Sequence, residues 1–474
     1  MKKLNTLLVS VLLLVFFMGN KYSAAQDTFY RVYDGGGNDV GAYVSVTPDG
    51  GYIITGKTTS FGSGDFDVWL IRTDAEGNAL WKKSYGGMAD DEGNCVQPTS
   101  DGGFIVAANS VNPGHYNQGW VFKTDAEGSV VWEYKFGGNV AGDEAAFVLP
   151  VEDGYLVSGT NNMRSLVIKF DNSGNVIWSQ QYFPNNGNTA TGICPLGDQG
   201  YAVSGTFEFP VGGGVWFPDL FYIKNDGEII TQLTWTNYPG GIVNFVSPRN
   251  DGGVIMGGYW NGAPSLINML GSGNYGWEYG FPLSGSTGAI VGTVQFNDDN
   301  FIAAGDWFSA AMVGLNDSGE QQWAKYGRLD GDNIYFAGIQ KIDENSVILT
   351  GYRNEGNVDH DVILVKSTKE GSLESVDNKQ EVKKGTLMQN APNPFTGSTS
   401  FNFVLQDKSF AELMITDISG RYVKTIVSGY LLKGEHSFTW DGKNSAGELC
   451  ASGTYFATLK LNSGFMQTVK IVKR

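Results

Sequence analysis

Histidine is the side chain best suited to moving protons near neutral pH. It occurs three times, as His115, His360 and His436, far apart in the chain. No H-E-x-x-H pair, paired-cysteine zinc spacing or nucleophile elbow accompanies these histidines. Cys95, Cys194 and Cys450 are too sparse, and odd in number, to form a disulfide framework. Gly62-Ser63-Gly64 lies between strand patterns, with no helix behind it to hold a phosphate. Asp171-Asn172-Ser173-Gly174-Asn175 starts like a calcium loop but lacks the alternating acids and the later glutamate. A hairpin turn with glycine at positive φ accounts for it better. Nothing in the sequence calls for a cofactor or a bound metal.

What remains is a set of aromatic and carboxylate side chains in loops. One group of loops carries Phe61, Phe66, Tyr116, Phe207, Phe209, Trp216, Phe217, Trp260, Trp307, Phe308 and Tyr352. A second group carries Asp39, Asp90, Asp91, Glu92, Asp143, Glu144, Asp330 and Asp332. Aromatic rings beside carboxylates make a platform for sugars or peptides, with the acids accepting hydrogen bonds from hydroxyls. The candidate ligand residues are Tyr116, Trp216, Trp260, Trp307, Asp91 and Asp143. The competing reading is that the rings cover strand ends and the acids cap turns.

The elements that position these residues are set by an internal repeat. An Asp-Gly turn, an aromatic or β-branched residue, an apolar run and a small residue recur, as in Asp49-Gly50-Gly51-Tyr52-Ile53-Ile54-Thr55-Gly56. The anchors are Tyr52, Phe104, Tyr155, Tyr201, Val254, Phe301 and Val347, spaced 52, 51, 46, 53, 47 and 46 residues apart. A second phrase follows, as in Asp67 to Arg72, the turn Asp74-Ala75-Glu76-Gly77-Asn78, and Ala79-Leu80-Trp81. Short strands with turn signals at about every 8–12 residues indicate an all-β fold. Four strands per unit make a propeller blade, so the expected architecture is a seven-bladed β-propeller over residues 26–372. The last unit lacks its Trp strand. Phe29 precedes Tyr33 by four residues, as Trp81 precedes Tyr85, so the N-terminal strand is expected to complete that blade and close the ring. The repeated Trp81, Trp132, Trp178, Trp277 and Trp323 are expected to pack between blades rather than bind ligand. The phrase Asp74 to Trp81 resembles the repeat of quinoprotein-like propellers. Dehydrogenases of that group often use adjacent cysteines, which this chain lacks, so the resemblance concerns blade architecture.

Residues 1–25 read as a secretory signal peptide. Lys2 and Lys3 precede an apolar run from Leu7 to Met18, and Ser23-Ala24-Ala25 offers a small-residue cleavage site. The run is shorter than the roughly 20 residues of a membrane span, and no later segment is apolar for long enough. The chain carries a net charge of −17. Removing Lys2, Lys3 and Lys21 with the leader leaves −20. Such a surface repels nucleic acid and anionic membrane.

Residues 373–385 are polar and read as a linker. Residues 386–474 hold six acids and nine bases, so this tail is basic while the propeller plus linker carries −23. Six strand patterns in the tail predict a small Ig-like sandwich. Its phrases are Asn390-Ala391-Pro392-Asn393-Pro394-Phe395, Asp417-Ile418-Ser419-Gly420-Arg421-Tyr422-Val423, Gly434 to Trp440 leading into Asp441-Gly442-Lys443, and Ser452-Gly453-Thr454-Tyr455-Phe456. The tail resembles the type A C-terminal sorting domain of the bacterial type IX secretion system and, more loosely, the Ig-like domain of flagellar hook-capping proteins. The resemblance implies export through the outer membrane by that machinery, removal of the domain, and a secreted or cell-surface location. The favoured function is a non-catalytic binding module for a glycan, peptide or protein. The alternative is an extracellular hydrolase or lyase using two carboxylates of the acidic rim.

Overall fold

The computed structural model describes residues 28–474 apart from 112–115, 139–141, 184–186, 210–214, 272, 282–287, 298, 307–309, 330–331, 356–358, 372–385, 388–389, 391, 406–408, 419–420 and 462–465. The expected signal peptide and linker lie outside the described residues.

The alternation of apolar runs and Asp-Gly turns folds into consecutive antiparallel meanders. Meander 1 is Asp39–Val46, Tyr52–Thr58, Asp67–Thr73 and Ala79–Tyr85. Meander 2 is Asp91–Pro98, Phe104–Val111, Asn117–Thr124 and Val130–Gly137. Meander 3 runs from Glu144 to Gln181, meander 4 from Asn188 to Thr234 and meander 5 from Ile242 to Gly280, each with four strands. Meander 6 runs from Ile290 to Leu329. Meander 7 combines Asp332–Asp343, Ser346–Glu355 and Asp359–Thr368 with Phe29–Tyr33 from the N-terminal end. Meanders 6 and 7 join into one eight-stranded sheet through the short pairing of Arg328 with Asn333 and Leu329 with Asp332.

The first strand of each meander contacts the first strands of its two neighbours, and that of meander 7 returns to that of meander 1. This closed ring is the arrangement of a β-propeller. Every first strand carries one extra residue: Ala42, Asn94, Ala146, Thr191, Asn244, Val291 and Ala337. A bulge sharpens local twist, here at the same depth in each inner strand. The side chains freed there stitch neighbours together. Asn94 Nδ2 donates to the carbonyl of Ala145 at 2.9 Å, and Asn244 Nδ2 to that of Ile290 at 3.0 Å. The Tyr43 and Phe147 rings, from meanders 1 and 3, meet edge-on at 5.5 Å across the ring.

The outer seams rest on one aromatic–glycine contact. The glycines at the turns after the third strands all have φ between 71° and 87°, a region open to glycine: Gly77, Gly128, Gly174, Gly227, Gly273, Gly319 and Gly371. At five of them the Trp of the preceding meander lies on the glycine. A Cβ at Gly174 would stand 2.5 Å from the Trp132 ring, and one at Gly371 2.5 Å from Trp323. Trp81 covers Gly128, Trp178 covers Gly227 and Trp277 covers Gly319 in the same way. The expectation of Trp packing between units is met. Phe29 pairs opposite Lys366 and covers Gly77, so the N-terminal strand does complete the last meander. Tyr33 Oη donates to the Gly77 carbonyl at 2.7 Å, as Tyr85 Oη does to Gly128 at 2.6 Å and Tyr182 Oη to Gly227 at 2.7 Å.

The C-terminal unit is a two-sheet sandwich. One sheet holds Thr386–Leu387, Thr399–Leu405 and Gly434–Trp440, the other Ser409–Asp417, Tyr422–Leu431, Gly453–Leu461 and Met466–Lys473. Trp440, Phe395, Phe401, Phe403, Leu413 and Ile471 fill its core. Asn393 binds the last strand twice, to the Lys470 carbonyl at 2.9 Å and the Val472 amide at 2.8 Å. No helix among the described residues is long and apolar enough to cross a membrane.

Candidate binding surface

The two faces of the ring use acids differently. On the face of the first-to-second-strand turns, the acids of meanders 1 to 3 are exposed and paired with a cation from the third strand. Arg72 meets Asp49, Lys123 meets Asp101 and Lys169 meets Asp153. The Lys123 hydrogen bond, then that of Thr99, holds Asp101 down to about 2.

On the opposite face several acids turn inward, while Asp90 is exposed and Glu92 pairs with Lys57. Asp91 and Asp143 are 1% and 0% exposed. Asp91 Oδ2 accepts the Gly87 amide at 2.7 Å. Asp143 accepts the Asn162 amide at 2.6 Å on one oxygen and the Gly138 amide at 2.8 Å on the other. Asp39 accepts Thr58, Ser60 and the Gly35 amide. Burial raises its carboxyl above the ordinary range, opposed by these donors. Asp67 takes the amides of Ser63 and Gly64. These carboxylates shape the loops by satisfying backbone donors that would otherwise be orphaned, so the ligand-facing position expected for Asp91 and Asp143 is corrected to a buried, loop-holding one. Asp34, Asp39 and Asp361 bring three oxygens within 4.8 Å of one another. Arg353 binds Asp361 at 2.8 Å and neutralises part of that charge.

The expected aromatic residues are separated by the fold. Tyr116 is 56% exposed. Trp216 is half-buried in Val215–Ile223, opposite Glu208. Trp307 lies outside the described residues. Trp260 is only 1% exposed, which corrects its expected place on the open platform. Its ring packs into the core between meanders 4 and 5, because the chain of meander 4 folds Tyr238 over it.

Trp260 instead anchors a cluster that sequence reasoning missed. Its indole Nε1 donates to Glu278 Oε1 at 3.0 Å. Tyr238 stacks on Trp260 with centroids 6.2 Å apart, and its hydroxyl donates to Glu278 Oε2. Tyr275 Oη reaches the same oxygen at 3.3 Å. Burial, then Glu278, pushes the Tyr238 hydroxyl up to about 12, so it stays a donor. Tyr275 is raised in the same sense, by burial first. Glu278 itself is exposed on the outermost strand. The signal was present: Glu278 follows Trp277 as Glu133 follows Trp132.

Residues 389–464 match the FlgD Ig-like domain family. The tail is similar to a FlgD Ig-like domain. It is 40% identical over 77 residues to the basal-body rod modification protein FlgD of Salmonella typhimurium, covering 16% of this chain and 32% of that protein. The FlgD protein of Escherichia coli matches with the same identity over the same length. The chain therefore spans about a third of the length of these curated relatives. Solved structures similar to the ring include BamB from Moraxella catarrhalis, with 12% identity, a TM-score of 0.42, and coverage of 71% of this chain and 98% of that one. The WD40 propeller domain of Doa1 has 10% identity and a TM-score of 0.46, covering 71% of this chain and 97% of that chain.

Proposed function

We propose that this chain is an exported cell-surface protein whose seven-bladed propeller is a non-catalytic binding module and whose Ig-like tail is its type IX sorting signal. One observation carries the binding reading. Asp39, Asp91 and Asp143 on the loop face are buried and accept loop amides, while the aromatic residues Tyr116 and Phe61 are exposed. A carboxylate held by its own backbone is a poor general acid or base, because catalysis needs it within reach of substrate. An exposed ring offers area for a glycan, a peptide or a protein surface at small entropic cost. The blade count rests on the inner strands closing with meander 7 beside meander 1. The sorting reading rests on the ordered motifs of the tail and on its basic end, which Asn393 and Phe395 hold in place.

Two measurements test this. A glycan and peptide array probed with residues 26–474 is expected to return a specific ligand that Trp216→Ala or Tyr116→Ala weakens. Hydrolysis of an array ligand by the protein would replace the binding reading with the enzymatic one. Deleting residues 386–474 in the native host is expected to leave the propeller in the periplasm. Its arrival at the surface without the tail would end the sorting reading.

A further inference from the structure

We propose that the Glu278 cluster on meander 5 is a binding site for an alkylammonium group supplied by a ligand. The site takes in Trp260, one of the loop aromatics, but it does not depend on Tyr116 or on the array ligand.

The first support is the state of the carboxylate. Glu278 is exposed, yet it accepts three neutral donors, from Trp260, Tyr238 and Tyr275. A carboxylate offers about four acceptor sites. Three donors hold the group in one orientation and leave its charge uncompensated, since no Lys or Arg pairs with it among the described residues. Tyr275, 49% exposed, borders the charge with an open aromatic ring. Carboxylates bordered by aromatic rings suit cations, which gain from both the charge and the ring quadrupole. A sugar needs several acceptors at once, and these are mostly taken.

The second support is an internal version of the site in meander 2. There the Trp120 indole donates to Glu133 at 2.9 Å. Glu133 and Glu278 hold the same place, directly after the Trp of the fourth strand. In meander 2, Lys135 lies two residues further on. Its Nζ sits 4.5 Å from the centre of the Trp120 ring and donates to Ser110 Oγ at 2.8 Å. Meander 5 has Gly280 in that place. A Cβ at Gly280 would meet only Ser265 Oγ, at 3.8 Å, so the space for a side chain is open. Meander 2 thus sets its own ammonium over the indole of a Trp–Glu pair, and meander 5 presents a Trp–Glu pair with no side chain in the Lys135 place. The indole comes from the second strand in meander 5 rather than the third, and Tyr238 covers it. An incoming ammonium therefore meets Glu278 and the Tyr rings rather than the Trp face.

The test is ligand-detected NMR with residues 26–474 and three probes at low salt: Nα-acetyl-lysine methylamide, tetramethylammonium and uncharged Nα-acetyl-norleucine methylamide. Saturable binding of one or both cations, without the norleucine probe, is expected. Preference for the lysine probe assigns the source as a polypeptide side chain. Preference for tetramethylammonium assigns a quaternary head group. Glu278→Gln is expected to weaken the cation at least fivefold, and Gly280→Lys to abolish its binding by filling the site from within. Thermal midpoints of the variants separate lost binding from lost folding, and Tyr275→Ala, at an exposed position, gives a second readout. Equal binding by wild type and Glu278→Gln, or no saturable cation binding by wild type, overturns the proposal.

Discussion

Most seams of the ring are built one way and the seam between meanders 4 and 5 another. At six, a ring from one meander lies on the positive-φ glycine of the next: Trp81, Trp132, Trp178, Trp277, Trp323 and, through the closing strand, Phe29. Between meanders 4 and 5 the contact is missing. A Cβ at Gly273 would meet nothing within 4 Å, and the fourth strand of meander 4 reads Ile229-Ile230-Thr231 where the others have Trp. The extended loop of meander 4 takes over this seam instead, folding Trp235 and Tyr238 against the core around Trp260. The same loop builds the Glu278 cluster. A repeat that abandons its packing rule at one place frees that place for a different chemistry.

The sharpest way to break this contrast is to load the glycines. Gly174→Ala places a Cβ both at φ +85° and against Trp132. Left-handed strain of about 1–2 kcal/mol adds to overpacking of about 1–3 kcal/mol, so a loss of about 3 kcal/mol is expected in urea unfolding. Gly273→Ala meets only the backbone strain, and about 1 kcal/mol is expected. Equal losses would erase the difference between the seams.

Asp219 sharpens it next. It pairs opposite Gly205 on meander 4, where meander 1 pairs Trp69 opposite Gly56. Burial raises its carboxyl to about 6, opposed by donors from Thr234 and Gln232. A raised acid binds its proton more tightly when folded. Its contribution is therefore present at low pH and falls as pH rises from about 4 to about 6, then stays flat. Asp219→Asn removes that dependence. Relative to wild type, the variant is expected to gain about 2 kcal/mol between pH 4 and pH 7. Parallel stability–pH curves for the two proteins would refute the assignment.

The smallest effect concerns the hydroxyls at the ordinary seams. Tyr33→Phe and Tyr85→Phe each remove one donor to a turn carbonyl, at Gly77 and Gly128. A loss of about 1 kcal/mol is expected for each. Similar values would show that the closing seam, made by strands from opposite ends of the chain, behaves as an ordinary one.

Much of the fold was legible because its causes are local. Asp-Gly turns, apolar runs and a Trp at a constant offset are short-range signals, and they recur. The partnership of Phe29 with Tyr33 could be read for the same reason: it copies the offset of Trp81 and Tyr85. The Ig-like strands followed from alternation and turn residues. The candidate site was less legible. Whether a loop aspartate faces solvent or its own backbone is decided by which amides the turn leaves unpaired, so Asp91 and Asp143 gave no outward sign of being buried.

The chain by itself determined the repeat, the closing strand, the packing of the repeated Trp residues between units and the distinct basic tail, because each follows from residue type at fixed spacing. Only the tertiary structure decided that Trp260 is buried, that Tyr238 crosses a seam to cover it, and that Tyr275 and Glu278 converge there. Tyr238 and Glu278 are 40 residues apart and belong to different meanders. Their meeting depends on how two sheets stack around an axis, and no local pattern encodes that distance.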